Sequence, residues 1–280
     1  MADIQTLCPG LELGDDGIWY SADVPSVSYP THGNDACLAI EDGSFWFRHR
    51  NNCIVSVVEA FPPDGNGTIF DIGGGNGFVS MGLAGAGFEV AIVEPGKAGA
   101  ANARKRGVKD VICATADTAH FKPQSLPAVG LFDVIEHVED DSNYLGAIRR
   151  LMKPNGRLYA TVPAYSFLWS AEDVEAGHYR RYTRASIGSV LESAGFRVEF
   201  SSHIFRLLPL PILLMRTLPH RLGLANSARK ADAGSRDHAV DGGIAVRVMN
   251  ALLETEVENL KNRKPMAFGG SCLLVARNPA

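Results

Sequence analysis

The chain has 280 residues, 46% of them hydrophobic and 21% charged, which supplies a buried core and excludes wholesale disorder. Its formal charge of -4 gives no general attraction to phosphate backbones, so nucleic acid is a disfavoured partner. Cys8, Cys37, Cys53, Cys113 and Cys272 form no C-x-x-C pair, which argues against a zinc ribbon or a disulfide framework and fits a reducing cytoplasm.

The first residues, MADIQTLCPG, lack a basic flank followed by an apolar stretch, so no secretory signal is expected and the localisation read from the sequence is cytoplasmic. Residues 1–63, rich in Gly, Pro, Asp and Ser, read as an irregular cap on the main domain. Within them FWFRHRN, Phe45 to Asn51, joins aromatic to basic side chains and runs into CIVSVVEAF, a predicted helix that Pro62 and Pro63 end. From Thr68 onward short apolar runs alternate with helical stretches. TIFDI is followed by a helix near Phe78 to Ala86, FEVAIVE by one near Ala98 to Arg106, and VKDVICA leads to LPAVGLFDV. A helix near Asp140 to Met152, the run GRLYATV, a helix from Thr183 to Ala194 and FRVEFSS continue the pattern. Strands alternating with helices of this length mean crossover units and a mostly parallel sheet covered on both faces, so the fold class is α/β.

Ile204 to Pro219 is apolar but interrupted by Arg206, Pro209, Pro211 and Arg216, short of the roughly 20 apolar residues a spanning helix needs. We read it as a cover over a substrate pocket, an insertion near 204–223. The competing reading is peripheral membrane contact, because Arg206, Arg216, His220 and Arg221 flank its apolar residues. The small, polar stretch near 224–243 reads as a mobile loop. Ile244, Val248, Ala251, Leu252, Val257 and Leu260 then fall at helical spacing, and GGSCLLVARN closes as a strand, so 64–280 is assigned to one domain.

The stretch FDIGGGNGF, Phe70 to Phe78, lies at the end of the first strand. A dinucleotide fingerprint G-x-G-x-x-G would need glycine where Phe78 stands, which counts against an NAD-linked oxidoreductase. A P-loop fails too: the only Gly-Lys, Gly96-Lys97, is followed by Ala98. What remains is an acid followed by alternate glycines, Asp71, Gly73, Gly75 and Gly77, which lets the backbone turn sharply and approach a ligand without Cβ interference. Here the sequence resembles class I S-adenosylmethionine-dependent methyltransferases, and DVIEH, Asp133 to His137, with LMKPNGRLYATVP behind it, extends the resemblance over roughly Phe45 to Phe200.

The resemblance implies a Rossmann-like seven-stranded sheet in the order 3-2-1-4-5-7-6, its last strand antiparallel. It also implies S-adenosylmethionine as cofactor and S-adenosylhomocysteine as product. Glu94, in VAIVEP, would grip both ribose hydroxyls, since two acceptor oxygens match two neighbouring donors. Asp117 would meet the adenine amino group, and Trp46 would cover the cofactor. GHYRRYT, Gly177 to Thr183, occupies the substrate-facing position, with Arg180, Arg181 and Tyr182, together with Arg50, as substrate contacts. His178 and His137 are the general-base candidates, with Asp133 orienting them. No metal is expected; were one to bind, its ligands would be Asp133, Glu136, His137 and His178, the first three at i, i+3 and i+4 of an expected helix start. The implied reaction is methyl transfer to a small-molecule acceptor, acidic on the strength of the arginines and with oxygen favoured as nucleophile. The alternative is a protein of the same fold that binds the cofactor as an accessory without transfer.

Overall fold

The computed structural model describes residues 3–23, 33–223 and 244–280, so the loop expected near 224–243 lies outside the described residues. The chain opens with a helical turn, α1 (Ile4–Leu7), an antiparallel pair, β1 (Glu12–Leu13) and β2 (Trp19–Tyr20), and two helices, α2 (Gly33–Glu41) and α3 (Phe45–Ala60). Strands and helices then alternate: β3 (Ile69–Ile72), α4 (Phe78–Gly85), β4 (Val90–Val93), α5 (Lys97–Arg106), β5 (Asp110–Cys113) and β6 (Leu126–Phe132). After these come α6 (Asp141–Leu151), β7 (Met152–Pro163), α7 (Ala171–Ala176), α8 (Arg184–Ser193) and β8 (Arg197–Ile204). A helical run follows as α9 (Pro209–Ile212), a π-helical turn (Leu213–Thr217) and α10 (Leu218–Arg221); then come α11 (Ile244–Lys261) and β9 (Ser271–Arg277).

The strands join in one sheet, ordered β1-β2-β5-β4-β3-β6-β7-β9-β8. From β5 to β8 this is the expected 3-2-1-4-5-7-6 order, and β9 runs antiparallel to both β7 and β8. The N-terminal segment adds two strands beside β5, where Trp19 and Tyr20 pair with Ile112 and Cys113. Two-residue strands carry no readable alternation, so the sequence shows that stretch only as irregular.

Side chains alternate across the strands and divide the core between the two faces. Phe70, Ile72, Val129 and Leu131 pack with Leu145 and Ile148 of α6 and Ile187 and Leu191 of α8. Ile69, Ala128, Tyr159 and Val275 face Ile54, Val57 and Val58 of α3, Leu83 of α4 and Leu260 of α11. Helix α3 begins earlier than the sequence predicts because the Ser44 hydroxyl accepts from the Trp46 and Phe47 N–H groups, so the aromatic-basic segment is its first two turns.

Order reverses at β3, whose neighbours are β4 on one side and β6 on the other. Beyond the carboxyl ends of such strands an α/β sheet leaves a crevice. The glycine turn, Glu94 and DVIEH all lie there.

Candidate functional site

The turn after β3 depends on its glycines. Gly73, Gly75 and Gly77 hold φ of 74°, 55° and 77°, the left-handed region that residues with a Cβ adopt at a cost. A Cβ on Gly73 would stand 2.8 Å from Val134 Cγ2, and one on Gly77 would stand 2.9 Å from Ala103 Cβ. At Gly75, by contrast, only Asn34 Oδ1, at 3.7 Å, would lie within 4 Å among the described residues. Two glycines thus admit the neighbouring chain, and the third leaves space and donates its N–H to Glu94 Oε2 at 2.9 Å.

Glu94 stands at the end of β4, 6% exposed, and its Oε1 accepts from Gly96 N–H at 2.8 Å and from Asn34 Nδ2 at 3.3 Å. Burial pushes its carboxyl up, and the hydrogen bonds oppose that. Asp71 beneath it accepts from the Ser80 hydroxyl at 2.6 Å, while its Oδ1 is buried without a hydrogen-bond partner among the described residues. Burial pushes Asp71 up to about 6, against the Ser80 hydrogen bond and the charge of Arg50. Helix α2 roofs this corner: Asn76 Nδ2 donates to the Asn34 carbonyl at 2.8 Å and to Glu41 Oε1 at 3.1 Å, and Arg106 pairs with Glu41 at 2.8 Å. The set fits an adenosyl group, because a buried carboxylate with two acceptor oxygens adjoins a backbone turn stripped of side chains.

The second part of the site centres on DVIEH. Asp133 has φ 58°, and the residues after it form a 3-10 turn, Ile135–His137, in place of the helix start expected from the spacing. Left-handed backbone at Asp133 breaks the helical register, so the i, i+3, i+4 argument does not apply. Asp133 Oδ2 lies 2.6 Å from Arg50 Nε, and Oδ1 accepts from the Thr161 hydroxyl at 2.9 Å. The residue that joins Glu136 and His137 is His178, their ligand atoms all lying within 4.8 Å of one another. Glu136 is pushed well above the usual carboxylate range by burial and by Asp133. His137 is pulled down to about 4 by burial and by His178, so it is neutral at pH 7.

His178 has a fixed partner. Its Nδ1 lies 2.9 Å from Asp173 Oδ1, which also accepts from Arg181 Nε at 2.7 Å, while Ser170 N–H donates to Oδ2 at 2.8 Å. Burial alone would raise Asp173, but the hydrogen bonds from His178 and Arg181 hold it down at about 2. A charged Asp173 can only accept, so Nδ1 donates and Nε2 takes no part in that bond. The His178 and His137 rings are 4.8 Å apart, edge to face.

The other sequence candidates fall into several settings. Arg180 Nη1 and the buried Tyr182 hydroxyl both donate to Asp141, at 2.8 and 2.7 Å. With Tyr179 N–H on the Glu136 carbonyl at 2.8 Å, they fasten the GHYRRYT segment to the 3-10 turn and to the start of α6. Trp46 stacks on Phe205 with ring centroids 5.4 Å apart and lies 5.6 Å from the Arg50 guanidinium. Asp117 is exposed and borders a cavity lined by His120, Arg149 and Arg150, none of which belongs to the two clusters just described. The sequence did not single out Asn34, Asp141 or Asp173. For Asp173 the available signal was the pattern Ser170-x-x-Asp173, which reads as a helix capping box and is one, so the capping role hid the contact with His178.

A family model described as "Methyltransferase domain" matches residues 46–200, more than half of the chain. No curated protein matches. Among solved structures, phosphoethanolamine N-methyltransferase 2 of Haemonchus contortus, in complex with S-adenosyl-L-methionine, is 18% identical with a TM-score of 0.55. That match covers 89% of this chain and 58% of the Haemonchus chain. A SAM-dependent methyltransferase of Thermotoga maritima is 18% identical, with a TM-score of 0.54 over 90% of this chain and 99% of its own. The [4+2]-cyclase SpnF is 19% identical, with a TM-score of 0.52 over 82% of each chain. At these identities the likeness is one of fold.

Proposed function

The chain belongs to the methyltransferase-domain family, and on that premise we propose that it moves a methyl group from S-adenosylmethionine to an oxygen of a small-molecule acceptor. The observation that carries this reading is the Asp173–His178 pair, set against Glu136 and His137 at the same edge of the sheet as the Glu94 turn. The cofactor supplies an activated methyl on sulfur with its leaving group already good, so the protein aligns the acceptor and takes its proton. In this reading Glu94 accepts from the ribose hydroxyls and the glycine turn lets the adenosyl group approach the backbone. His178 Nε2 takes the acceptor proton, and Asp173 holds the ring and stabilises the imidazolium that forms, as a positioned base requires.

Arg180, Arg181 and Tyr182 act through Asp141 and Asp173 as positioning residues. The reading therefore rests on an oxygen nucleophile that must lose a proton, and the acceptor's own charge carries none of it.

Titration of S-adenosylhomocysteine into the wild type, Glu94→Ala and His178→Ala tests both halves. Glu94→Ala should weaken binding more than about tenfold, about 1.4 kcal/mol. His178→Ala should bind as the wild type does and lose about 10²- to 10⁴-fold in transfer to a panel of phenols and alcohols. No binding by folded wild type removes the reading. Binding without transfer to any acceptor supports the accessory role, and tight binding of a nicotinamide cofactor instead supports an oxidoreductase.

A further inference from the structure

The helical run from α9 through the π turn to α10 is amphipathic in an unusual sense, because its apolar side faces out. Leu207, Leu210, Leu214, Met215, Leu218 and Leu222 are 46, 62, 53, 67, 39 and 68% exposed, and their spacing of three and four places them along one stripe. The opposite side is held to the body. Thr217 is fully buried and its hydroxyl donates to the Leu168 carbonyl at 3.0 Å, Arg216 pairs with Glu172 at 3.2 Å, and Arg221 donates to the Phe167 carbonyl at 3.2 Å. Phe167, itself 43% exposed, extends the apolar surface beside the run. Single exposed aliphatics are ordinary, but a contiguous row of this kind marks an interaction surface.

The charge on the run identifies its occupant. Between Ile204 and Gly223 there are three arginines and one histidine, Arg206, Arg216, His220 and Arg221, and no acidic residue; Glu172 offsets the charge of Arg216, so the exposed Arg206 and Arg221 carry the positive charge of the run. No described helix is long and apolar enough to cross a membrane. A short helix with an exposed aliphatic stripe and basic residues along it lies in the plane of a bilayer, apolar side chains among the acyl chains and cations at the anionic headgroups. A symmetric contact with a second copy would bring these cations against one another, which disfavours it.

We propose that the run 209–221, with Leu207 and Leu222 at its ends, is a docking surface for an anionic lipid bilayer. The run rests on the segment 167–172, which leads directly into Asp173 and His178, so docking sets the histidine side of the crevice near the headgroups. The proposal is independent of methyl transfer and is read without cofactor.

Full-length protein is sedimented with vesicles of phosphatidylcholine alone and of phosphatidylcholine mixed with phosphatidylglycerol, at low and high salt. The wild type should pellet with the mixed vesicles at least about tenfold better than with phosphatidylcholine alone, and salt should weaken that preference. The double substitution Leu214→Asp and Met215→Asp changes only exposed side chains and should keep the wild-type melting temperature while reducing vesicle binding about tenfold or more. Arg206→Gln with Arg221→Gln should lose the phosphatidylglycerol preference. Absence of binding to mixed vesicles at low salt, or binding unchanged in the Asp variant, overturns the proposal. So does a concentration-dependent dimer that the Asp substitutions dissolve, which assigns the stripe to a second copy.

Discussion

Gly75 and Gly77 have the same backbone handedness and different surroundings, which separates two reasons for a glycine. At Gly77, φ is 77° and a Cβ would lie 2.9 Å from Ala103 and 3.1 Å from Val108 Cγ2, so Gly77→Ala adds overpacking to left-handed strain. It should lower the free energy of unfolding by about 2–4 kcal/mol, measured by urea denaturation. Among the described residues Gly75→Ala meets only Asn34 and carries the backbone cost alone, about 1–2 kcal/mol, so its effect should fall more on S-adenosylhomocysteine binding than on stability. Equal loss of stability in the two variants would show that backbone conformation alone fixed both positions. These glycines, with Asp71 and Glu94, were legible in the sequence because a missing side chain and a strand-end acid at fixed offsets are local features. Asp173 was not, since its contact with His178 depends on a turn whose sequence pattern reports only a cap.

Helix α2 shows what element-level reading leaves out. Its residues lie in a region that reads as irregular, yet Asn34 and Glu41 close the corner above the glycine turn. Burial and contacts across thirty-five or more residues of chain place it there, and neither leaves periodicity in so short a helix. The Asn34 amide lies 3.3 Å from Glu94 Oε1, and on the proposed reading a ribose hydroxyl would compete with it for that acceptor. A hydrogen bond to a carboxylate contributes about 1.5–3 kcal/mol, and one as long as 3.3 Å falls at the low end. Asn34→Ala should therefore bind S-adenosylhomocysteine several-fold to about tenfold more tightly than wild type in calorimetry. Weaker binding would mean that the amide turns to hold the ligand. The DVIEH segment fails for a related reason: its spacing suits a helix, but left-handed backbone at Asp133 replaces the first turn with a 3-10 turn and commits the carboxylate to Arg50 and Thr161.

At the scale of the whole molecule the parallel character of the sheet followed from alternation of strands and helices and its strand order from the family resemblance, while its closing edge depends on contacts between distant parts of the chain. Strand β9, the last in sequence, is inserted between β7 and β8, and ionic contacts tie that edge to the 3-10 turn at Asp64 ahead of β3. Glu199 on β8 accepts from Arg157 of β7 at 2.8 Å and from Arg277 of β9 at 2.7 Å, and Arg277 reaches Asp64 at 2.7 Å. Burial would raise the Glu199 carboxyl, but hydrogen bonds from the two arginines hold it below its ordinary 4.5. The folded chain thus binds this proton less readily than the unfolded chain. Its stabilisation is complete above the ordinary value and is lost as pH falls through the lower folded one. Glu199→Gln keeps one acceptor oxygen and removes the charge facing both guanidinium groups, and should cost about 1–2 kcal/mol at pH 7, a figure discounted for partial exposure. The difference between wild type and variant in urea midpoint should hold from pH 7 down to about 5 and shrink below the ordinary carboxylate value. A difference that persists unchanged in acid would mean that packing of the side chain, and not its charge, joins the three strands.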